Sequence, residues 1–257
     1  MDSVLQTFFD VHLMASVFPD LIRIGLVNTL TLAGGATAIG LVVGMALALA
    51  ALSRRVWLRW PARVYVDIFR GLPIILTIFL LGQGLPLAGV HPFGTNSYPY
   101  GIVALGLVTG SYISEIFRSG IQAVAPGQLE AARALGMPYL TAMRLVVVPQ
   151  GVRNVLPALT NQFIGTIKDS SLVYLLGFAE GQRELYRIGQ DVAQRTGNMS
   201  SLVAAGLMYL VITVPLTHLV NLLDRRLKNG RPKTAAPQAG DGPGPDARPT
   251  PMEVTSA

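Results

Sequence analysis

Residues 24–52 read IGLVNTLTLAGGATAIGLVVGMALALAAL, with no Asp, Glu, Lys, Arg or His. A hydrocarbon core takes about 20 apolar residues to cross as a helix, and in lipid the backbone must satisfy its own polar groups. This run therefore predicts a membrane-spanning helix. Its small residues Ala36, Gly40, Gly44 and Ala48 recur every fourth position, a face that lets another helix approach closely. Gly106 and Gly110 repeat the spacing further on, and plain helix packing is the expected use of both. The remainder of the chain is of the same kind. With 51% hydrophobic residues, 13% charged and a mean hydropathy of +0.49, its 257 residues exceed what one soluble core needs. Further candidate spans cover residues 61–85, 100–121, 154–178 and 199–223, so the sequence predicts an all-α integral membrane protein with five transmembrane helices.

Composition also excludes. There is no cysteine, hence no disulfide or thiolate metal site, and His12, His91 and His218 are too scattered for a ligand cluster. The net charge of +6 does not point to nucleic acid, because the basic residues fall between the apolar segments. Arg54, Arg55, Arg59 and Arg63 follow the first span, and Arg225, Arg226, Lys228 and Arg231 follow the fifth, while residues 82–99 hold no Lys or Arg. The positive-inside rule then puts the N-terminus outside and the C-terminus in the cytoplasm. Against this runs RELYRIGQDVAQR, residues 183–195, with three arginines on the outer side, a conflict that Glu184 and Asp191 soften without removing. Residues 1–23 read as an extracytoplasmic, amphipathic segment; they lack the basic start of a cleaved signal, so the first span is retained. Residues 24–229 form the transmembrane domain, and residues 230–257, rich in Pro, Gly and Ala without apolar periodicity, read as a disordered cytoplasmic tail.

Between the third and fourth spans lies the stretch PGQLEAARALGMPYLTAMRLVVVP, residues 126–149, too charged for lipid. Pro126 suits a first helical turn, and Gly136 followed by Pro138 is a stop signal. A helix of barely three turns is marginal alone in water, and this one puts Leu129, Ala132 and Leu135 on one side, so it needs something to dock against. Here the chain resembles the permease subunits of ATP-binding-cassette importers, whose loop carries EAA, three residues, Gly, nine residues and Ile-x-Leu-Pro. Glu130-Ala131-Ala132, Gly136 and Val146-Val147-Val148-Pro149 stand at the matching positions, with valines for Ile and Leu. FRGLPIILTIFLLGQGLP, GSYISEIFRSGI, VVVPQGVRNVLPALTNQFIGTIKDSSL and GFAEGQREL are similar to the polar amino acid branch of histidine, glutamine, glutamate and arginine permeases.

The resemblance implies a type I importer fold. The loop, residues 124–150, would be a coupling helix seated on a separate ATPase, with Glu130 making polar contacts, Ala131 and Ala132 permitting close docking and Gly136 the tight turn. It further implies two ATPase subunits that bind ATP and Mg, a second permease subunit (the same chain or a homologue), an extracytoplasmic amino acid binding protein and a bacterial inner membrane. No cofactor is expected on this chain, which has no GxxxxGK[ST] phosphate loop, and it is not expected to be an enzyme. Alternatives are a permease for opines or other amino acid derivatives, a non-transporting accessory subunit, and a secondary transporter, whose usual internal repeats five spans do not provide. A membrane enzyme would be expected to carry HExxH or GxSxG, and neither occurs.

Charges within spans need individual reasons, since each is costly near the bilayer centre. Asp67 with Arg70, and Glu115 with Arg118, are spaced to pair along one helix face. Lys168 and Asp169 point about 100° apart and have no opposite charge three or four positions away. Each therefore needs a partner on another helix, an aqueous cavity or a helix break. Lys168, Asp169, Ser170, Ser171 and Glu115 are the candidate translocation-pathway residues; Pro215 and His218 are expected to mark only a kink and a satisfied polar side chain.

Overall fold

The computed structural model describes residues 2–229, and every regular element among them is helical. Helices α1 (Asp2–Phe8) and α2 (Val11–Asp20) lead through a π-helical turn, Leu21–Leu26, into α3 (Val27–Ala51). The Asp10 side chain starts α2 by accepting from the N–H groups of His12 and Leu13. The first span thus continues an N-terminal helical run, with no break at the boundary expected after residue 23.

The second expected span, residues 61–85, is two helices. α4 (Val56–Gly71) and α5 (Ile74–Phe79), the latter extended through a π turn to α6 (Leu85–Leu87), meet at a bend of 106°. Pro73 is the cause: a proline pushes the residue before it out of the helical region, and Leu72 sits at φ −88°, ψ 143°. α4 buries Ala62 and Val66 while Trp57, Trp60 and Ile68 stay exposed, so it is amphipathic rather than apolar all round.

α7 (Ser97–Gln122) starts where the Asn96 side chain accepts from the Tyr98 N–H. There follow α8 (Pro126–Ala134), α9 (Tyr139–Ala142), a π turn Met143–Val147, and α10 (Val148–Asp169), which runs into a 3₁₀ turn, Ser170–Leu176. α11 (Leu185–Thr196) and α12 (Ser200–Asn229) complete the described chain. Among the described residues three helices, Val4–Ala51, Ser97–Gln122 and Ser200–Leu222, are long and apolar enough to cross a membrane, four if the bent pair is one span. α10, with 22 residues, has the length but is too polar to qualify by composition. Residues 230–257, where the sequence predicts a disordered tail, lie outside the described residues.

α7 is the pillar. On one side its small residues meet those of α3: a Cβ on Gly40 would lie 2.9 Å from Thr109 Cγ2, and one on Gly106 would lie 2.9 Å from Ile39 Cβ. The four-residue stripes therefore serve packing, as expected. On its other side α7 meets α10, where a Cβ on Gly151 would fall 2.8 Å from Ile121 Cα and one on Gly120 would fall 2.6 Å from the Gly151 carbonyl oxygen. A second cluster joins Val17, Leu21, Leu185, Ile188 and Met208, tying α11 to the first helical run and to α12.

Candidate functional site

The loop between α7 and α10 is built around the end of α8. Gly136 takes φ +81°, its N–H donates to the Arg133 carbonyl at 3.0 Å, and the Met137 N–H donates to the Ala132 carbonyl at 3.2 Å. These are the paired bonds of a Schellman stop, which favours glycine because its left-handed residue carries no Cβ penalty. Arg133 adds a bond from its Nη1 to the Met137 carbonyl at 2.9 Å.

The expected apolar face of α8 divides in two. Leu129 packs inward on Ile121, Val124 and Val147, and Ala132 is buried beside it. Ala132 is thus packed into the chain's own fold, while Ala131 beside it stays on the outer side. Glu130, Ala131 and Gly136 are exposed. Leu135 turns outward instead, 81% exposed, and joins Leu140 at 78% and Leu145 at 62%. These leucines follow one another at five-residue intervals across α8, α9 and the π turn, so the 3.6-residue pattern of a single helix could not reveal them. The loop is braced from α10 by a Gln150-to-Gln128 side-chain bond of 3.2 Å, and from the end of α3 by the Arg54 guanidinium 5.4 Å over the Tyr139 ring.

The second constellation is the far end of α10. Asn154, Ala158, Asn161, Gly165 and Lys168 fall on one face by their spacing of four, three, four and three. Space beside Gly165 is open, with nothing within 4 Å of where a Cβ would be. The Lys168 and Asp169 side chains make no hydrogen bond or ion pair with any described residue. Of the three arrangements expected for such charges, the fold supplies a change of helix type: α10 ends at Asp169 and the 3₁₀ turn starts at Ser170. Ser170 is buried and donates to the Ile167 carbonyl at 2.7 Å, and Ser171 donates to the Lys168 carbonyl at 2.7 Å.

Glu115 stands apart from this group. It accepts from Arg118 through both oxygens, at 3.0 and 2.6 Å, and lies 3.9 Å from Arg70 Nη1. The Glu115–Arg118 pair is as expected, but the Asp67–Arg70 pair is not formed. α4 packs so that Arg70 lies 5.5 Å over the Tyr112 ring and reaches Glu115, leaving Asp67 exposed.

A third polar node centres on Glu184, which the sequence offered only as a charge beside the arginines. Glu184, in the connection between α10 and α12, is fully buried, caps α11 by accepting from the Tyr186 and Arg187 N–H groups, and accepts from the Tyr209 hydroxyl at 3.1 Å. Burial outweighs these donors and pushes its carboxyl up to about 7. A carboxylate directly before an amphipathic helix is an N-cap signal, and it was legible as such. Beside it, Arg183 and Arg187 both pair with Asp191, at 3.3 and 3.0 Å, and Arg183 also with Glu180 at 3.3 Å. Two of the three arginines that conflicted with the charge rule are therefore neutralised locally.

Known proteins match this arrangement over most of its length. The family model for "Binding-protein-dependent transport system inner membrane component" matches residues 40–229. The arginine transport system permease protein ArtQ of Bacillus subtilis is 36% identical over 206 residues, 80% of this chain and 91% of that one. The glutamate/aspartate import permease protein GltK of Escherichia coli is 34% identical over 208 residues, 79% of this chain and 91% of the other. A crystal structure of an amino acid ABC transporter with histidines superposes with a TM-score of 0.72 at 34% identity, covering 83% of this chain and 96% of that one. The chain belongs to the inner membrane components of binding-protein-dependent transport systems and is the multi-pass permease of an ABC transporter, whose ATPase is a separate subunit.

Proposed function

We propose that this permease imports polar amino acids by alternating access, driven by two ATPase subunits that bind ATP and Mg. It works with a second permease subunit and an extracytoplasmic binding protein, its N-terminus outside and its C-terminus in the cytoplasm. The observation that carries the substrate class is the unpaired Lys168–Asp169 step at the end of the polar face of α10. Asp169 would hold the ammonium of a zwitterion, with Lys168 turned about 100° away toward a separate partner. In an apolar surround such charges are tolerated only where water or an opposite charge reaches them. Arginine, glutamate and aspartate in the names of the relatives agree with that reading.

Coupling is assigned to the loop of residues 124–150. Its outward leucines, Leu135, Leu140 and Leu145, offer apolar area for burial against an ATPase, and Glu130 and Ala131 flank them on the exposed side of α8. Ser170 and Ser171 shape the turn that presents Lys168 and Asp169, since both spend their hydroxyls on backbone carbonyls. Glu115, saturated by arginines, keeps a structural part at the loop end rather than one in the pathway.

The test is co-purification with the ATPase and binding protein, followed by ATP-dependent vesicle uptake over a panel of amino acids. Uptake of a polar amino acid is expected; a complex that hydrolyses ATP and moves none of the panel would refute the substrate class. Orientation is tested separately. Single cysteines at Asn96 and Gln128 should react with an impermeant reagent from outside and inside respectively, and the reverse pattern would invert the assignment.

A further inference from the structure

Beside the loop, the bundle holds a cavity of about 320 Å³ that neither the coupling surface nor α10 uses. Its walls are Arg63, Asp67 and Arg70 from α4 and Glu115, Arg118 and Gln122 from α7, and the end of α3 floors it. Three guanidinium groups face two carboxylates, so the lining carries one net positive charge. The pairing is uneven. Glu115 is taken by Arg118, whose remaining nitrogen donates to Gln122 Oε1 at 2.8 Å. Arg70 reaches Glu115 only at 3.9 Å, and Arg63 has no carboxylate within ion-pair distance among the described residues. Guanidinium donors without a full acceptor set suit a phosphate or another anion.

The helix that supplies half of this wall also shows where the anion comes from. Arg63, Asp67 and Arg70 recur at four and three residues along one side of α4, with the exposed Trp60 two turns before Asp67 on that side and the exposed Trp57 and Ile68 about a quarter-turn further round. Tryptophans beside arginines on an amphipathic helix are the pattern of a membrane interface, where the ring sits at the level of the headgroups. Basic pockets at that level recognise anionic headgroups.

We propose that this cavity binds the phosphate of an anionic phospholipid, with the acyl chains lying along the exposed apolar side of α4. Free inorganic phosphate shares the recognised chemistry but not the tails. Charge complementarity and the tryptophan face together select the lipid.

The experiment uses the full chain, extracted with its complex and placed in neutral detergent. Retained lipid is counted by native mass spectrometry after adding phosphatidylglycerol or phosphatidylcholine, with inorganic phosphate as a third condition. Phosphatidylglycerol should be retained in preference to phosphatidylcholine, and phosphate should not displace it. Arg63→Gln should weaken retention about fivefold, the effect of one basic group near a membrane surface. Asp67→Asn, which removes an opposing charge from the same wall, should strengthen it. Both residues are exposed and make no ion pair among the described residues, so opposite shifts cannot come from misfolding. Equal retention of the two lipids, or no response to either substitution, would overturn the proposal. Displacement by inorganic phosphate would likewise overturn it in favour of a soluble-anion site. No uptake is measured, so the outcome is independent of which solute the permease carries.

Discussion

Helices α7 and α10 have nearly the same length and stand against each other, yet the chain treats them oppositely. Fourteen of the 26 residues of α7 are buried, against five of the 22 in α10. α7 is held on two sides by small-residue contacts, and the buried Ser111 hydroxyl is spent within the helix, donating to the Val108 carbonyl at 2.6 Å. α10 keeps Asn154, Asn161 and Lys168 on one face and turns another to α7, through the Gly120–Gly151 contact, the packing of Val155 with Ile113 and Phe117, and the Thr109–Thr166 hydroxyl pair. The pillar is therefore completed by its own chain, whereas α10 keeps a polar face that the described chain leaves open. Substitutions in the first should change how much protein assembles, and substitutions in the second should change what the assembled protein does.

The seam between them is where the largest effect is expected. Gly151→Leu would drive a side chain into the Ile121 backbone, which cannot rotate away, and overpacking of this kind costs about 1–3 kcal/mol or more. Yield of monodisperse complex should collapse. Gly165→Ala on the same helix, where nothing lies within 4 Å, should leave yield unchanged. Similar yields for the two variants would dissolve the distinction between seam and open face.

Next comes the loop that joins the two helices. Gly136→Asp places a charged side chain at φ +81° on the exposed rim between Leu135 and Leu140. The left-handed backbone costs about 1 kcal/mol, too little to prevent membrane insertion, but the charge sits within the proposed ATPase contact. ATP-dependent uptake should be abolished while the protein still inserts. Normal uptake would count heavily against coupling through this loop.

Asp169→Asn acts on α10 alone. It keeps shape and removes charge, so the complex should assemble and hydrolyse ATP while uptake falls about tenfold or more, the order of one charged hydrogen bond of roughly 1.5–3 kcal/mol. Low yield with normal specific activity in the surviving complex would instead make Asp169 a structural residue, since a buried charge deprived of its partner is strongly destabilising.

The sequence disclosed the pillar more fully than its partner, for a physical reason. Apolar length and four-residue spacing of small side chains are local properties, so α3, α7 and the packing faces of each could be read directly, though not that these faces meet each other. So could the Gly136 stop, whose signal is contained within a few residues. The 106° bend was readable in principle, because Pro73 acts on Leu72 next to it, but the apolar run across it masked the break. Arg70 choosing Glu115 over Asp67 was not readable: that choice depends on how α4 lies on α7, which spacing along one helix cannot express. The outward set Leu135, Leu140 and Leu145 spans three short elements and has no single period, and the inward turn of Ala132 depends on Ile121, Val124 and Val147 gathered from both sides of the loop.

Glu184 should give the smallest effect on transport and the most specific effect on stability. It lies where the 3₁₀ extension of α10 approaches α12, with the Thr29 and Ser170 hydroxyls beside its partner Tyr209. The Tyr186 and Arg187 N–H groups, the Tyr209 hydroxyl and the Arg187 charge all favour the ionised form, and burial opposes them and prevails. With its folded pKa raised to about 7 from an ordinary 4.5, the carboxyl contributes stability that is complete below the ordinary value. That contribution is lost as pH rises through about 7. Wild-type protein should therefore melt at progressively lower temperature as pH is raised from 5 to 8, by roughly 2–4 °C per kcal/mol for a chain of this size. Glu184→Gln keeps one of the two oxygens that accept from the α11 N–H groups, so it starts from a lower stability, but it has no proton to lose and its melting curve should lack that part of the slope. Uptake at pH 6 should be close to wild type, because Glu184 touches neither the loop nor the Lys168–Asp169 step. Parallel pH profiles for the two proteins would show that Glu184 does not titrate in this range, and a loss of uptake at unchanged stability would move it from the scaffold to the pathway.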